Sequence, residues 1–455
     1  MNCIFICIFN DENYINMLYL CLESIFIFGN LDKNTEILIY TSSKIMNIIK
    51  QSHLFNDEKI KFEINDTYNT VEKACRARLD LFNLSHINNY EKILYLDTDI
   101  IIKNNINTVF DICKENYLYT VEEGDIKDDS DYWGKSLFGE EIYNYIDTSA
   151  FSSGILLFKN CEEIKQLFKK INEDMTARYH FFCDQPFFIY NAFKYNLYNN
   201  KLLKTYAVNN NCNMIFNNII IHHFPGCPGE YKYKIDIMTV FLNSLKDIII
   251  ENCIKNTKNI INNYLMPIIN NCGELLEGNI FTLHHTTEYS DIFINKVKNI
   301  SNVLLNKNIK NVMEIGFNSG FSALLMLVTN PNIKITCYDL GEHKYTIPCY
   351  EILKQLFQDR INIIIGDSTK TLYNDINKYD LIHIDGGHTT EIVTNDIKNS
   401  YCLSKKGTIL IMNDYEFDNI HILWNYYKNE YNLKSLNIHI NATKYHDIKY
   451  VLNNN

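Results

Sequence analysis

The sequence predicts an α/β protein of two domains, each built on a sheet whose functional residues gather at strand ends. Three observations carry this. The first is ILYLDTDII, an apolar strand that closes on Asp97 and Asp99. The second is NVMEIGFNSGFSALLML, in which Gly316 and Gly320 shape a turn between a strand and an apolar helix. An acidic pair at a strand end suits a divalent cation holding a diphosphate, and a glycine turn suits a nucleoside-bearing cofactor pressed against backbone. The third is length: at 455 residues the chain exceeds one ordinary core, and roughly 100 to 200 residues per domain implies two or three. The motif spacing selects two.

Taken in order, 3–9 (CIFICIF), 36–41 (EILIYT), 60–64 (KIKFE), 92–96 (KILYL) and 154–158 (GILLF) read as strands separated by helix-length segments. Residues 236–272 lack glycine and space their apolar residues as a helix does, which predicts a helical connector. A second strand series follows at 311 (NVMEI), 333–338, 361–365, 380–385 and 408–412, each closed by a polar turn. The expected domains are therefore residues 1–245 and 273–455, joined by a connector over 246–272.

Forty-three Lys plus Arg against 54 Asp plus Glu give a net charge of -11, which argues against nucleic acid as a partner. Fourteen cysteines occur without a CxxC pair, and several, such as Cys3, Cys7 and Cys337, sit inside apolar strands. They read as reduced core residues of a cytoplasmic protein. The opening MNCIFICIFNDEN has no basic segment ahead of its short apolar run, so a buried first strand is expected and no signal peptide. No apolar stretch reaches the roughly 18 residues that span a bilayer. Abundant Asn, Ile, Lys and Tyr reflect coding bias of an AT-rich genome.

Asp97 and Asp99 offer carboxylates to Mg²⁺ or Mn²⁺, which prefer oxygen ligands and neutralise a diphosphate leaving group. Around them lie, in order, CIFICIFNDENYINMLYLCLESI, ACRARLDLF, FSSGILLFKN, DQPFFIYNAF and HHFPG. Together these segments resemble glycosyltransferase family 8, the glycogenin-like GT-A enzymes, over about the first 240 residues. The resemblance implies a mixed α/β GT-A sheet, with Asp97, Asp99 and His223 as metal ligands. It implies Phe9 and Tyr14 near the nucleotide base, Arg78 near the donor phosphates or sugar, and Asp184 and Gln185 as catalytic residues on the sugar side. Singly, each has a plainer reading: Asp184 as a helix N-cap, His222 and His223 as a strand end, Tyr14 as core. Ser152 stands where the family has Asn, and HFPGCPGEYKYK replaces the family's Lys-Pro-Trp tail, leaving Lys232 and Lys234 both open as its lysine.

In the second half Glu314 and Gly316 end a strand, Gly320 permits a close turn, and Asp339 ends the next strand, where an acid suits ribose hydroxyls. A nicotinamide dinucleotide follows the same logic, but G-x-G-x-x-G is missing. The continuation through INIIIGDSTKTL, YDLIHIDGGHTTEIVTNDI and KKGTILIMNDYE resembles class I S-adenosylmethionine-dependent methyltransferases, with a Rossmann-like sheet, from about residue 270 onward. That resemblance places Glu314, Gly316, Gly320 and Asp339 along the cofactor, with Asp367 and Ser368 at its adenine and Asp385 at the strand end beside it. A weakly acidic hydroxyl must lose its proton as it attacks a methyl group, and His388 of IDGGH is the candidate base. Asp385, Asn413 and Asp414 occupy the metal-ligand places of metal-dependent members, in reversed Asp-Asn order; a reading in which they and His388 cap turns stays open.

The two resemblances imply a bifunctional glycan-building enzyme, similar to glycan-making enzymes of large DNA viruses. A metal-dependent glycosyltransferase would use a nucleotide-diphosphate sugar such as a UDP-sugar on a glycan acceptor, and an O-methyltransferase would use S-adenosylmethionine on a sugar hydroxyl. A homo-oligomer and, if the source is viral, the host cytoplasm are left open. The competing reading makes the N-terminal domain a non-catalytic carbohydrate-binding module, with the C-terminal domain methylating a protein, lipid or small molecule.

Overall fold

Short apolar runs alternating with helix-length segments assemble three sheets, two in the first half of the chain and one in the second. The structure, a computed structural model, describes residues 1–55, 58–145, 147–209, 218–226 and 231–452. It divides into a unit of Met1–Lys50 with Phe55–Leu242 and a unit of Gln51–Leu54 with Asn243–Asn455.

In the first unit, β1 (Asn2–Ile8), β2 (Thr35–Thr41), β3 (Ile60–Ile64) and β4 (Lys92–Leu96) pair in parallel. Ile4, Phe5 and Ile6 of β1 are fully buried, as a near-continuous apolar run predicts for a parallel strand covered on both faces. After β5 (Ile100–Ile102) come β6 (Leu118–Asp125), β7 (Ser149–Lys159), β8 (Tyr198–Asn199), β9 (Ala207–Asn209) and β10 (Ile221–His223). The large sheet runs β3-β2-β1-β4-β7-β6-β8, with β7 antiparallel to both neighbours, and β5-β10-β9 form a small second sheet.

ILYLDTDII is therefore not one strand. β4 ends at Leu96, residues 97–99 cross from the large sheet to the small one, and β5 continues there. Both sides of the crossing are held: the Asp97 N–H donates to the Gly154 carbonyl at 2.9 Å, and the Phe224 N–H donates to the Asp99 carbonyl at 2.9 Å. Because β10 runs antiparallel to β5 with His223 opposite Ile100, the crossing residues and the HHF segment are neighbours.

In the second unit, β11 (Asn311–Ile315), β12 (Lys334–Asp339), β13 (Ile361–Ile365), β14 (Tyr379–Ile384), β15 (Ser404–Asn413) and β16 (His446–Tyr450) take the order β13-β12-β11-β14-β15-β16. All pairs are parallel except β15 with β16. The order reverses between β11 and β14, and at such a switch point the carboxyl ends of the strands open a crevice for a ligand. Gly316, Asp339, Asp367, Asp385 and Asn413 all lie at those carboxyl ends.

The segment between the sheets is a helix, Tyr231–Ile260, continued by a π-helical turn over Ile261–Leu265 and a last helical stretch, Met266–Asn271. Pro267 sits at the start of that stretch, and a residue without an N–H in a continuing helix explains the wide turn preceding it.

Candidate functional site

The crossing from β4 to β5 and the end of β10 build the first site. Asp97, Asp99 and His223 each offer one ligand atom, all within 4.8 Å of one another, the one such cluster among the described residues. His223 Nε2 lies 3.4 Å from Asp99 Oδ1 and 3.9 Å from Asp97 Oδ2. Its Nδ1 meets Asn209 Oδ1 at 2.7 Å, and the Asn209 amide in turn donates to Glu123. Asn209 is thus the acceptor and Nδ1–H the donor, which leaves Nε2 facing the carboxylates.

Two features fit a divalent cation. Asp99 Oδ1 is buried and accepts no hydrogen bond, a costly condition unless a ligand meets it. Gly154 faces the cluster so closely that a Cβ there would lie 2.4 Å from His223 Cε1 and 2.8 Å from Asp97 Oδ2. Gly154→Ala is expected to lower Mn²⁺ affinity at this site, and any activity that needs it, by about 100-fold, since displacements of about 1 Å are that expensive at a positioned site. Manganese titration beside circular dichroism checks it; unchanged binding in a folded variant contradicts the placement.

Charge around the cluster is arranged in pairs. Burial pushes the Asp99 carboxyl up, but His223 and the Lys234 ammonium, 2.7 Å away, outweigh it and hold Asp99 below the usual carboxylate range. Burial likewise opposes ionisation of His223, and the charge of Asp99 overcomes it and raises its pKa. Asp97, whose side chain is 36% exposed, is pushed up by burial against the pull of Arg78.

Arg78 is buried and grips Asp184 with both arms, Nε to Oδ2 at 2.5 Å and Nη2 to Oδ1 at 2.9 Å. It also donates to the Ser153 carbonyl and lies 3.9 Å from Asp97 Oδ1. Asp184 precedes the helix Gln185–Lys194, yet its side chain does not cap that helix; it is committed to Arg78. Gln185 Oε1 accepts from the Ser153 N–H at 3.3 Å. Ser152 is buried in β7. Tyr14 meets the Tyr231 ring at 5.2 Å, and its phenol is raised by burial, by Tyr231 and by the charges of Asp99 and Asp97. Phe9 packs edge-on against Tyr40 and Tyr68, whose hydroxyls both bind Asp80.

Of the two lysines left open, Lys234 is the one at the acidic pair. Residues 227–230 of the same tail lie outside the described residues. Sequence reasoning missed Asn209 and Glu123, which carry no motif, and Asp80, which stood unremarked inside ACRARLDLF.

The second site lies at the switch point of the other sheet. Gly316 has φ 91°, and a Cβ on it would lie 1.9 Å from the Asp385 carbonyl oxygen. This revises the sequence reading: the glycine is required by the approach of β14, before any cofactor enters, so a larger residue disrupts the sheet as well as the ligand site. Gly320, at φ 77°, similarly leaves room for Phe317. Asp339 Oδ2 accepts the N–H groups of Phe317 and Asn318, each at 2.8 Å, and its Oδ1 accepts that of Gly341 at 2.7 Å. Oδ1, with a single donor, keeps a lone pair for a further one.

Glu314 is fully buried, with one carboxylate oxygen 3.0 Å from His383 Nδ1 and the other accepting from the Cys337 thiol. Asp367 accepts the Thr369 N–H at 3.0 Å, and Ser368 follows it as the first residue of the helix Ser368–Thr371. Asn318 Oδ1 and Ser319 Oγ are buried in the glycine turn without hydrogen-bond partners, which fits a polar ligand seated there.

His388 Nε2 lies 2.9 Å from Asp414 Oδ2, and that contact first, ahead of the opposing burial, raises the histidine pKa. Asn413 donates to Asp385 Oδ1, while Asn413 Oδ1 is buried without a partner. Burial pushes Asp385 up against the charge of Lys296, itself buried. The structure thus draws Asp385, His388, Asn413 and Asp414 around one small pocket that Asp396 and Met412 also line.

The Asp97-Asp99-His223 cluster on a mixed sheet and the glycine turn on a doubly wound sheet are thus two separate candidate sites. Residues 16–228 match the model of glycosyl transferase family 8, and residues 313–415 match a methyltransferase domain. The chain joins a family 8 glycosyltransferase domain to a methyltransferase domain. No curated protein matches it.

Among solved structures it is similar to the apo structure of the bifunctional glycosyltransferase WbbM, at 16% identity and TM-score 0.40, over 52% of this chain and 49% of that one. The chain thus spans about half the length of that structure. It is also similar to CalS11, a TDP-rhamnose 3'-O-methyltransferase of calicheamicin biosynthesis, at 13% identity and TM-score 0.30, over 44% of this chain and 93% of that one. Cofactor-bound Rv0187 from MTB matches at 14% identity and TM-score 0.31, over 42% of this chain and 88% of that one. At these levels the likenesses bear on neither activity nor substrate. No described helix is long and apolar enough to cross a membrane.

Proposed function

We propose that the chain is a bifunctional glycan-building enzyme: it transfers a sugar from a nucleotide-diphosphate donor to a glycan acceptor and O-methylates a sugar hydroxyl. The convergence of Asp97, Asp99 and His223 on a space kept open by Gly154 carries this reading. Its residues fall within a family 8 domain, and the same chain has a methyltransferase domain.

Asp97, Asp99 and His223 would hold Mn²⁺ or Mg²⁺, which supplies charge neutralisation to the leaving diphosphate of a UDP-sugar. Phe9 and Tyr14 wall the base side. Arg78, oriented by Asp184, and Lys234 add fixed positive charge near the phosphates, and Gln185 lies on the sugar side. In the second site, the turn of Gly316 and Gly320 with Asp339, Asp367 and Ser368 would hold S-adenosylmethionine, whose sulfonium supplies the methyl group. Here His388, oriented by Asp414, takes the proton of the attacking hydroxyl. Asp385, Asn413 and Asp414 would hold a cation beside it.

We place the chain in the cytoplasm, in keeping with its half-buried and buried free thiols, and propose residues 1–245 and 273–455 as the two catalytic units. Tethering them keeps the first product near the second site. Mass spectrometry of the full chain with a panel of sugar nucleotides, Mn²⁺ and adenosylmethionine tests this. The expected result is donor turnover with sugar and methyl added to glycan acceptors. Methylation without donor turnover would make the first domain a binding module, and failure of both overturns the proposal.

A further inference from the structure

We infer that protonated His343 fastens the segment of residues 273–278 to the cofactor crevice of the second unit, which makes His343 a positioning residue for S-adenosylmethionine binding. The inference rests on the reading of that crevice as the adenosylmethionine site.

The segment, GELLEG, follows the last helical stretch of the connector and has no helix or strand of its own. Of its residues only Leu276 is buried, so apolar packing holds it at one point and polar contacts supply the rest. Those contacts reach both loops that line the crevice. From the glycine turn after β11, the Asn318 amide donates to the Gly278 carbonyl at 3.2 Å. From the loop after β12, four residues beyond Asp339, His343 meets two glutamates of the segment. Its Nδ1 lies 2.6 Å from Glu274 Oε1 and its Nε2 lies 2.8 Å from Glu277 Oε2. The Lys344 N–H donates to Glu274 Oε2 at 2.8 Å, and the Glu277 N–H donates to the Tyr345 hydroxyl oxygen at 3.2 Å. The segment therefore bridges the loops at the carboxyl ends of β11 and β12.

Geometry sets the charge of the ring. An ionised carboxylate only accepts, and a neutral imidazole has a single N–H, so it can satisfy one glutamate while turning a lone pair on the other. Two contacts of this length require a proton on each nitrogen. Around the ring stand Glu274 and Glu277 from the segment, Glu342 and Lys344 beside it on its own loop, and the Tyr345 ring, stacked at 5.0 Å with planes 4° apart. Burial opposes the charge, but the hydrogen bonds and charges of the two glutamates outweigh it and raise the histidine pKa. Glu274 is held below the usual carboxylate range, first by His343 and then by the Lys344 N–H.

A histidine raised in this way keeps both contacts below its ordinary value of about 6.5 and loses one of them as pH rises through the raised value. One glutamate then faces a lone pair, and the segment loosens. A ligand that binds the ordered crevice must supply that ordering itself, so its affinity falls.

Adenosylmethionine binding to the full chain is titrated by calorimetry from about pH 6 to about pH 8.5, on either side of the raised histidine value, in parallel with His343→Gln. Amide hydrogen exchange of the peptide covering 273–278 is followed by mass spectrometry at each pH, corrected for the intrinsic pH dependence of exchange. Relative to the variant, the affinity of the unmodified chain is expected to fall about threefold to tenfold over this range, the size of two partly exposed charged contacts. The peptide is expected to exchange faster as the affinity falls. Taking the ratio to the variant removes the titration of the ligand's amino group and of His388, which both proteins share. Glu277→Gln, which keeps the Glu274 contact, is expected to flatten part of the profile and serves if His343→Gln does not fold.

Parallel pH profiles in the unmodified chain and the variants, or exchange that does not respond to pH, overturn the inference. Exchange whose pH response disappears in His343→Gln, with no adenosylmethionine binding at any pH, supports the fastening and counts against the cofactor reading, which keeps the two failures apart.

Discussion

Replacing both Asp97 and Asp99 by Asn is expected to cut sugar-nucleotide hydrolysis and transfer by about 1,000-fold or more, while adenosylmethionine binding is unchanged. The estimate follows from losing a metal ion's stabilisation of leaving-group charge, several kcal/mol, at about 1.36 kcal/mol per tenfold. His223 alone cannot hold the ion, and Lys234, 2.7 Å from Asp99, would face a neutral amide. Removing one partner of a buried ion pair costs about 3–5 kcal/mol, so circular dichroism must accompany the kinetics. Adenosylmethionine affinity is the internal control, because that site is built on the other sheet. Donor turnover at the normal rate in the folded double variant would show that the carboxylates do not carry the chemistry.

His388→Ala should leave adenosylmethionine affinity near normal and slow methyl transfer by about 100-fold to 10,000-fold, the usual contribution of a positioned base. Affinity is spared because the imidazole is engaged by Asp414, while the N–H groups of the glycine turn are held by Asp339. Isothermal titration and single-turnover methylation separate the two effects. Chelation adds a second arm: if EDTA also stops methylation, the cluster of Asp385, Asn413 and Asp414 holds an ion that acidifies the acceptor hydroxyl. If methylation survives chelation and only the histidine variant is slow, the base acts alone. A variant that methylates at full rate removes His388 from the mechanism, and titration showing NAD binding without adenosylmethionine binding removes the cofactor assignment.

The strands β1 to β4 and β11 to β15 were legible in the sequence, because burial on both faces forces near-continuous runs of Ile, Leu, Val and Phe such as CIFICI and EILIYT, whereas β6, whose second half is the polar EEGD, was not. The short strands were not. β5, β9 and β10 have three residues each, and β8 has two, too few to establish any period. β16, with HDIKY at the sheet edge, carries charge at alternate positions and was not among the expected strands.

The same contrast runs through the sites. Asp97, Asp99 and His223 could be picked out because metal ligands are restricted to few residue types, and the order of motifs singled them out. Lys234 could not be separated from Lys232, because a helix start displays both until packing chooses. Asn209 and Glu123 orient His223 from a strand and a sheet edge with no motif of their own. Gly316 was read as making room for a cofactor, and the close approach of the Asp385 carbonyl was missed, since sequence does not show which backbone passes beside it.

The crossing of residues 97–99 between two sheets has a consequence for how the protein matures. The carboxylates emerge early in synthesis, but the imidazole that completes the set arrives on β10, after the whole of β6 and β7. β5 has no antiparallel partner until β10 docks. Two carboxylates on a flexible chain bind a divalent ion weakly and without selectivity, so an ion held by the complete set would be captured only after the long-range pairings that are slowest to form. A chain in which β10 has not closed on β5 therefore has the two carboxylates without the imidazole, and the three-residue cluster exists only once that long-range pairing is made.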